Sequence, residues 1–326
     1  MKTITRYIEE IKHNSCYENI CNAEESATAQ ELLIGLLNNR KKASVTNCMM
    51  LNQLPRNRQS HILNTYFFGL VLYKNCQEIK KLIDKSIEKL SIVEKNEDRF
   101  EYLWYMICLF HDLGYIVEDS NIPEELLKST KLPSIGLKNQ NVPKIFTKKT
   151  VTQYMQYRKQ HFKKFDHGVY GAIIAYNEWK NIKAHAKQDG TNLNWTEVEE
   201  AWKIAYRIIL VHNIYFAHSG TYEAELYRHT NLENLIVDNY PIKLFRHPLL
   251  FLFCLIDSIE PTKRDVSTSM VEIGFEKDNK ITIQLLDLIN PTYAKTILSL
   301  DTWLTHVEIE AYNKMIIHLS DNDGKQ

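Results

Sequence analysis

Glycine and proline are scarce in this 326-residue chain, ten and eight residues respectively. Long stretches are therefore free of the residues that interrupt helices. Net charge is also missing: 40 Lys and Arg balance 40 Asp and Glu, so the overall balance points neither to nucleic acid nor to a membrane surface. Six cysteines occur without a C-x-x-C pair. Cys108 and Cys254 lie inside apolar stretches, where a thiol packs as a small hydrophobe, and nothing near the close pair Cys16 and Cys21 completes a zinc set. The longest apolar run, Pro248 to Ile256, is far too short to span a bilayer. The opening segment MKTITRYIEEIKHN alternates charged and apolar residues without the core of a signal peptide. Internal repeats and low-complexity segments are absent. These absences predict a soluble, cytoplasmic, reduced protein.

What is present is helical periodicity. Hydrophobic residues make up 44% of the chain, enough for an ordinary core, and most recur at three- and four-residue spacing, so the expected class is mainly α. A first helix is predicted over Ser60 to Asn75, with His61 in its first turn and Leu63, Phe67, Leu70 and Val71 inward. A second should run from about Glu97 to Leu109, deliver His111 and Asp112 at its C-terminal end, and stop at Gly114. Asp166 can cap a third, through Tyr176, that begins at His167 and offers Gly171 and Ala172 for close helix packing. The T-x-x-E box of Thr196 and Glu199 precedes a fourth helix, which carries His212 near its far end. A fifth starts after Pro248 and carries Asp257. One hairpin is expected, Val271 to Phe275 with Lys280 to Gln284, followed by helical sequence from Thr292 to Leu319. The predicted organisation is an N-terminal helical extension (1–54), a core (55–265) with a basic insertion (127–165), and a C-terminal hairpin with helices (266–326).

Chemistry enters with L-F-H-D-L-G-Y at 109–115, because adjacent His and Asp at a helix end supply a nitrogen and a carboxylate to neighbouring coordination positions. A single such pair carries little weight, since an internal histidine is more often a hydrogen-bonded core residue. The weight comes from the ordered set His61, His111, Asp112, His167, His212 and Asp257. Each lies beside or inside an apolar helical run, where an unpaired polar group costs roughly 2 kcal/mol or more to bury. Convergence on a metal removes that cost for all of them together.

Over 55–265 the chain resembles the HD-domain metal-dependent phosphohydrolase superfamily. The matching motifs are R-x-R-x-x-H ending at His61, H-D-L-G-Y at 111–115, D-H-G-x-x-G-A at 166–172, L-V-H-N at 210–213 and L-I-D-S-I-E-P at 255–261. The resemblance implies a helical bundle in which His61, His111, Asp112 and Asp257 hold one metal. It further implies a second metal on His167 and His212, with Asp112 bridging and Asp112, His167 and His212 central to catalysis. Gly114 and Tyr115 are not followed by proline and adjoin the His-Asp pair, a departure from the cyclic-dinucleotide branch.

A mixed imidazole and carboxylate shell suits manganese, iron, nickel, cobalt or zinc better than magnesium. Two such ions would acidify a bridging water and stabilise the entering and leaving oxygens at phosphorus. The expected reaction is hydrolysis of a phosphomonoester or phosphodiester in a nucleotide-like substrate, and no serine or cysteine nucleophile signature competes. The same ligand set leaves three alternatives open: an HD-type nuclease acting on single-stranded nucleic acid, a diiron HD-type oxygenase, and a non-catalytic regulatory module.

Positive charge for an anionic substrate is concentrated between Leu127 and Phe165, which holds no Asp or Glu but contains Lys128, Lys131, Lys138, Lys144, Lys148, Lys149, Arg158, Lys159, Lys163 and Lys164. Its interleaved Phe146, Tyr154, Tyr157 and Phe162 suit base stacking, and its place before Asp166 suggests an active-site lid. A solvated face is the equally weighted alternative. Lys163 and Lys164, with Arg56, Arg58, Lys263 and Arg264 around the first and last ligands, are the candidate phosphate contacts. His218 and His247 are weaker candidates for a general acid. The expected partner is a phosphorylated small molecule or nucleotide; nucleic acid stays open, a membrane is not expected, and a homo-oligomer is compatible with the sequence.

Overall fold

Pro55 sets the start of the first long helix: with φ −54° it occupies the N-cap position, and its carbonyl accepts from the backbone N–H groups of Arg58 and Gln59. In the computed structural model, which describes residues 1–13, 53–90, 96–118, 142–188, 195–264, 267–276, 280–286, 291–311 and 313–319, the elements run in this order. They are β1 (Lys2–Thr3), α1 (Ile4–His13), α2 (Arg56–Asn75), α3 (Gln77–Ile87), α4 (Asn96–His111), α5 (Tyr115–Glu118), α6 (Lys148–Phe162), α7 (His167–Gln188), α8 (Trp195–Val211), α9 (Tyr222–His229), α10 (Pro248–Ile259), β2 (Val271–Glu276), β3 (Lys280–Leu285), α11 (Pro291–Leu298), β4 (Val307–Ala311) and β5 (Lys314–His318). The fold is mainly helical, with one small antiparallel sheet. Among the described residues no helix is long and apolar enough to cross a membrane.

The chain divides into a terminal unit, Met1–Lys85 with Tyr240–Gln326, and a central unit, Ser86–Asn239. The expected 55–265 segment thus contributes to both units.

In the terminal unit α2 packs against α10. Helix α10 has Pro248 in its first turn and is buried throughout except at Asp257, the single charged residue of an otherwise apolar stretch. Because α2 begins at Arg56, His61 lies in its second turn, one turn further in than the sequence pattern suggested. The sheet has strand order β1-β2-β3-β5-β4, all antiparallel. The expected hairpin is present, with Ile273 opposite Ile283 and Phe275 opposite Ile281. Alternate residues Val271, Ile273, Ile281, Ile283, Leu285, Met315 and Ile317 are buried, and the Tyr7 ring of α1 packs edge-on to Phe275 at 5.7 Å. The expected helix over Thr292 to Leu319 is only partly formed: α11 ends at Leu298, and Val307–Ala311 and Lys314–His318 are strands. Pairing of Ile281 with Ile317 and of Ile283 with Met315 recruits β5 to the sheet, overriding the local helical pattern.

In the central unit α7 and α8 pack along each other, and both pack on α4. Two glycines permit the close approach of α7 to α4 and to the turn that follows it. A β-carbon at Gly171 would lie 2.3 Å from the Phe110 carbonyl oxygen, and one at Gly114 would lie 1.8 Å from the His167 carbonyl oxygen. Gly171 therefore plays the packing role expected of it. Gly114 does not act as a left-handed helix stop; Gly220 alone among the described glycines has positive φ. Helix α8 begins at Trp195, so Thr196 lies inside it and does not cap it.

Candidate metal centre

The central unit assembles His111, Asp112, His167 and His212 at the ends of three helices. Helix α4 terminates on His111, whose Nδ1 donates to the Cys108 carbonyl at 2.7 Å. Helix α8 ends at Val211, and the next residue repeats the device, His212 Nδ1 donating to the Ile209 carbonyl at 2.7 Å. A helix C-terminus leaves carbonyls without intrahelical partners, and a histidine there satisfies one while its ring is held. A carbonyl can only accept, so the proton of each neutral ring is on Nδ1 and the lone pair on Nε2.

His167 is the first residue of α7. Asp166 caps that helix as expected, accepting from Val169 N–H at 3.0 Å, and its other oxygen accepts from Asn213 Nδ2 at 2.7 Å. Burial raises the Asp166 carboxyl above its ordinary pKa, although His167, the Val169 N–H, Arg158 and Asn213 pull the other way. His167 Nδ1 faces Glu118 Oε2 at 2.9 Å, while its Nε2 lies 3.8 Å from Asp112 Oδ1. Burial works against charge on Glu118, but the hydrogen bond from His167 and the charges of His167, Arg158 and Lys164 prevail and hold it below the ordinary glutamate value.

Asp112 is the shared point of this cluster. Its Oδ1 is 3.3 Å from His111 Nε2, and the His212 ring centroid lies 5.5 Å from that of His111 and 5.3 Å from that of His167. Ligand atoms of Asp112, His167 and His212 all fall within 4.8 Å of one another, and these residues are buried. The donor set fits a transition metal: each of the three rings has Nδ1 committed to an acceptor, which leaves Nε2 as the coordinating nitrogen beside one carboxylate.

The terminal unit holds its own histidine–carboxylate cluster. His61 Nδ1 meets Glu260 Oε2 at 2.5 Å, and His61 Nε2 meets Asp257 Oδ1 at 2.9 Å. Burial and the Lys263 charge both oppose a protonated His61. Hydrogen bonds to Asp257 and Glu260 outweigh them, raising its pKa above the ordinary value. Glu260 also accepts from Asn64 Nδ2 at 3.0 Å and Thr262 N–H at 3.0 Å, so this fully buried carboxylate is well supplied with donors.

The candidate phosphate contacts fall in different settings. Arg56 is exposed and Arg58 half-buried at the start of α2. Lys263 donates to Asp257 Oδ1 at 2.6 Å; Arg264 reaches the Ser258 carbonyl at 3.3 Å and stacks over Tyr293, so both are engaged within the terminal unit. Lys163 and Lys164 are exposed just past α6, and with Gln156, Lys159, Gln160 and Phe165 they line an open depression of about 420 Å³.

The supposed lid is, over 148–162, a packed helix: Thr147 caps it and Tyr154 donates to the Asn213 carbonyl at 3.0 Å. Lys128, Lys131 and Lys138 lie outside the described residues, as do Cys16 and Cys21. Phe146, Tyr154 and Tyr157 are core residues; of the four interleaved aromatics only Phe162 is exposed, which removes the stacking platform. His247 is half-buried, with its pKa pushed down to about 4 by burial and by the charges of Arg246 and Lys243, and His218 sits 3.9 Å from Asp238 near the surface.

Sequence reasoning missed Glu118 and Glu260. Each follows a recognised residue at helical i,i+3 spacing, Tyr115 to Glu118 and Asp257 to Glu260. A carboxylate at that spacing in an apolar setting is the signal that would have found them. Comparison with protein-family models, with curated proteins and with solved structures finds no match to this chain.

Proposed function

We propose that the chain is a metal-dependent phosphohydrolase of the HD superfamily that cleaves a phosphomonoester or phosphodiester in a nucleotide-like substrate. The observation that carries this reading is the common commitment of Nδ1 in His111, His167 and His212 to acceptors around the single carboxylate of Asp112. A histidine set kept only for packing has no need of one shared orientation. The family resemblance gives His61 and Asp257 a metal-binding role too, and within the terminal unit those two side chains are already paired.

Manganese, iron, nickel, cobalt or zinc held by these residues supplies a Lewis acid for the phosphoryl oxygens and an acidified water as nucleophile. The protein's own residues do the rest. Asp112 holds its carboxylate between the imidazoles, the carbonyls of Cys108 and Ile209 keep the proton on Nδ1, and buried apolar walls from α4, α7 and α8 exclude bulk water. Lys159, Lys163 and Lys164, which line one open depression, are the proposed attraction for the anionic substrate.

The test is elemental analysis of protein purified without chelator, repeated on His111→Ala and Asp112→Ala proteins whose folding is verified. It is followed by hydrolysis assays on nucleotides and on nitrophenyl mono- and diesters with Mn2+ and Fe2+. Close to two equivalents of transition metal, lost in both variants, together with phosphate release, is the expected result. Folded wild-type protein that neither retains nor takes up metal would overturn the reading.

A further inference from the structure

We infer that Glu118, assisted by Tyr115 and Arg158, is the positioning carboxylate that orients His167 for metal binding. The inference rests on the proposed reading of His167 as a ligand. His111 and His212 obtain their orienting acceptor from a carbonyl three residues earlier in their own helix. His167 cannot, because it opens α7 and has no preceding helical turn to offer one. Its acceptor has to come from elsewhere in the fold, and Glu118 supplies it.

Three constraints meet on this ring. Glu118 Oε2 accepts from Nδ1 at 2.9 Å, fixing the tautomer. The Tyr115 ring stacks on the imidazole at 3.9 Å between centroids and 16° between planes, fixing the ring plane. Arg158 Nη2 donates to the second oxygen, Oε1, at 3.0 Å, fixing the carboxylate's own rotation. Tyr115 and Glu118 are i,i+3 on the short helix α5, so one helical face presents both the ring and the carboxylate. The remaining nitrogen, Nε2, then points towards Asp112. A carboxylate acceptor also raises the basicity of the imidazole more than a carbonyl does, so His167 becomes the strongest nitrogen donor of the three.

The experiment uses the full chain labelled with 15N-histidine. Long-range 1H–15N correlation reports the His167 tautomer, and calorimetric titration with Mn2+, with Zn2+ in parallel, reports affinity. In wild-type protein His167 carries its proton on Nδ1. Glu118→Gln, whose amide oxygen still accepts, keeps that tautomer, while Glu118→Ala loses it and binds metal about 10- to 100-fold more weakly. A merely structural ion pair between α5 and α6 would leave the tautomer untouched. A folded Glu118→Ala protein with the Nδ1–H tautomer and affinity within about twofold of wild type would overturn the inference. Should that variant fail to fold, Arg158→Met is measured instead: weaker metal binding is expected, and unchanged affinity counts against the role. Wild-type protein that takes up neither metal would refute the metal centre itself, while the tautomer comparison continues to judge the positioning of His167.

Discussion

Replacing Gly114 with alanine is the sharpest test of how the central unit is assembled. The added β-carbon would stand 1.8 Å from the His167 carbonyl oxygen, 2.6 Å from the His167 carbonyl carbon and 2.8 Å from the Gly171 nitrogen. All three are backbone atoms of α7, so no side chain can swing aside. Restoring ordinary contact requires α7 to move away by roughly 1.6 Å, at the upper end of the ~1–3 kcal/mol cost of overpacking a core. At about 2–4 °C per kcal/mol, the expected fall in Tm is roughly 6–12 °C, read by far-ultraviolet circular dichroism. Gly220→Ala is the control. Nothing lies within 4 Å of its β-carbon, and only the positive φ of 84° is at stake, so a loss of about 1 kcal/mol is expected. Because the displaced carbonyl belongs to His167, metal affinity should fall in Gly114→Ala and not in Gly220→Ala. A Gly114→Ala protein that melts within about 1 °C of wild type would refute the packing described for α4, α5 and α7.

Glu260→Ala removes the buried acceptor of His61, Asn64 and Thr262 and should cost about 3 kcal/mol in urea unfolding; a loss below about 1 kcal/mol would mean that water or another group replaces it. Lys163 adopts φ 56° at the end of α6, so Lys163→Gly should stabilise the protein by about 0.5–1 kcal/mol, and a lower Tm would contradict that strain. Glu118 is held below its ordinary value of 4.5, so its contribution to stability is complete above that pH and is lost as pH falls through the depressed value. The stability gap between wild type and Glu118→Gln should therefore narrow on acidification, and a gap that widens would reverse the assignment.

Much of the helical framework was legible from local pattern. The cap at Asp166, the proline start of α10, the apolar stripes and the hairpin of β2 and β3 depend on neighbours within a few residues, and the structure contains each of them. Asp112, His167 and His212 were each readable as candidate ligands, because polar residues embedded in apolar helices need partners; their grouping was an expectation of the family resemblance, and the structure gathers them.

Other features depend on residues far apart in sequence. Glu-Ile-Glu-Ala at 308–311 carries strong helix formers yet forms a strand, because β3 presents Ile281 and Ile283 to β5 and β5 in turn recruits β4. Gly114 reads as a helix stop in sequence, but it is glycine because the His167 backbone passes 1.8 Å from where its β-carbon would be. The aromatic residues of the basic segment look like a stacking surface until the fold buries Phe146, Tyr154 and Tyr157. Residue type and spacing thus determined by themselves the helices that carry the candidate ligands and which side chains can coordinate or carry charge. Only the tertiary structure decided which carboxylates orient His61 and His167, because hydrogen-bond partners 199 and 49 residues away in sequence share no local pattern with them.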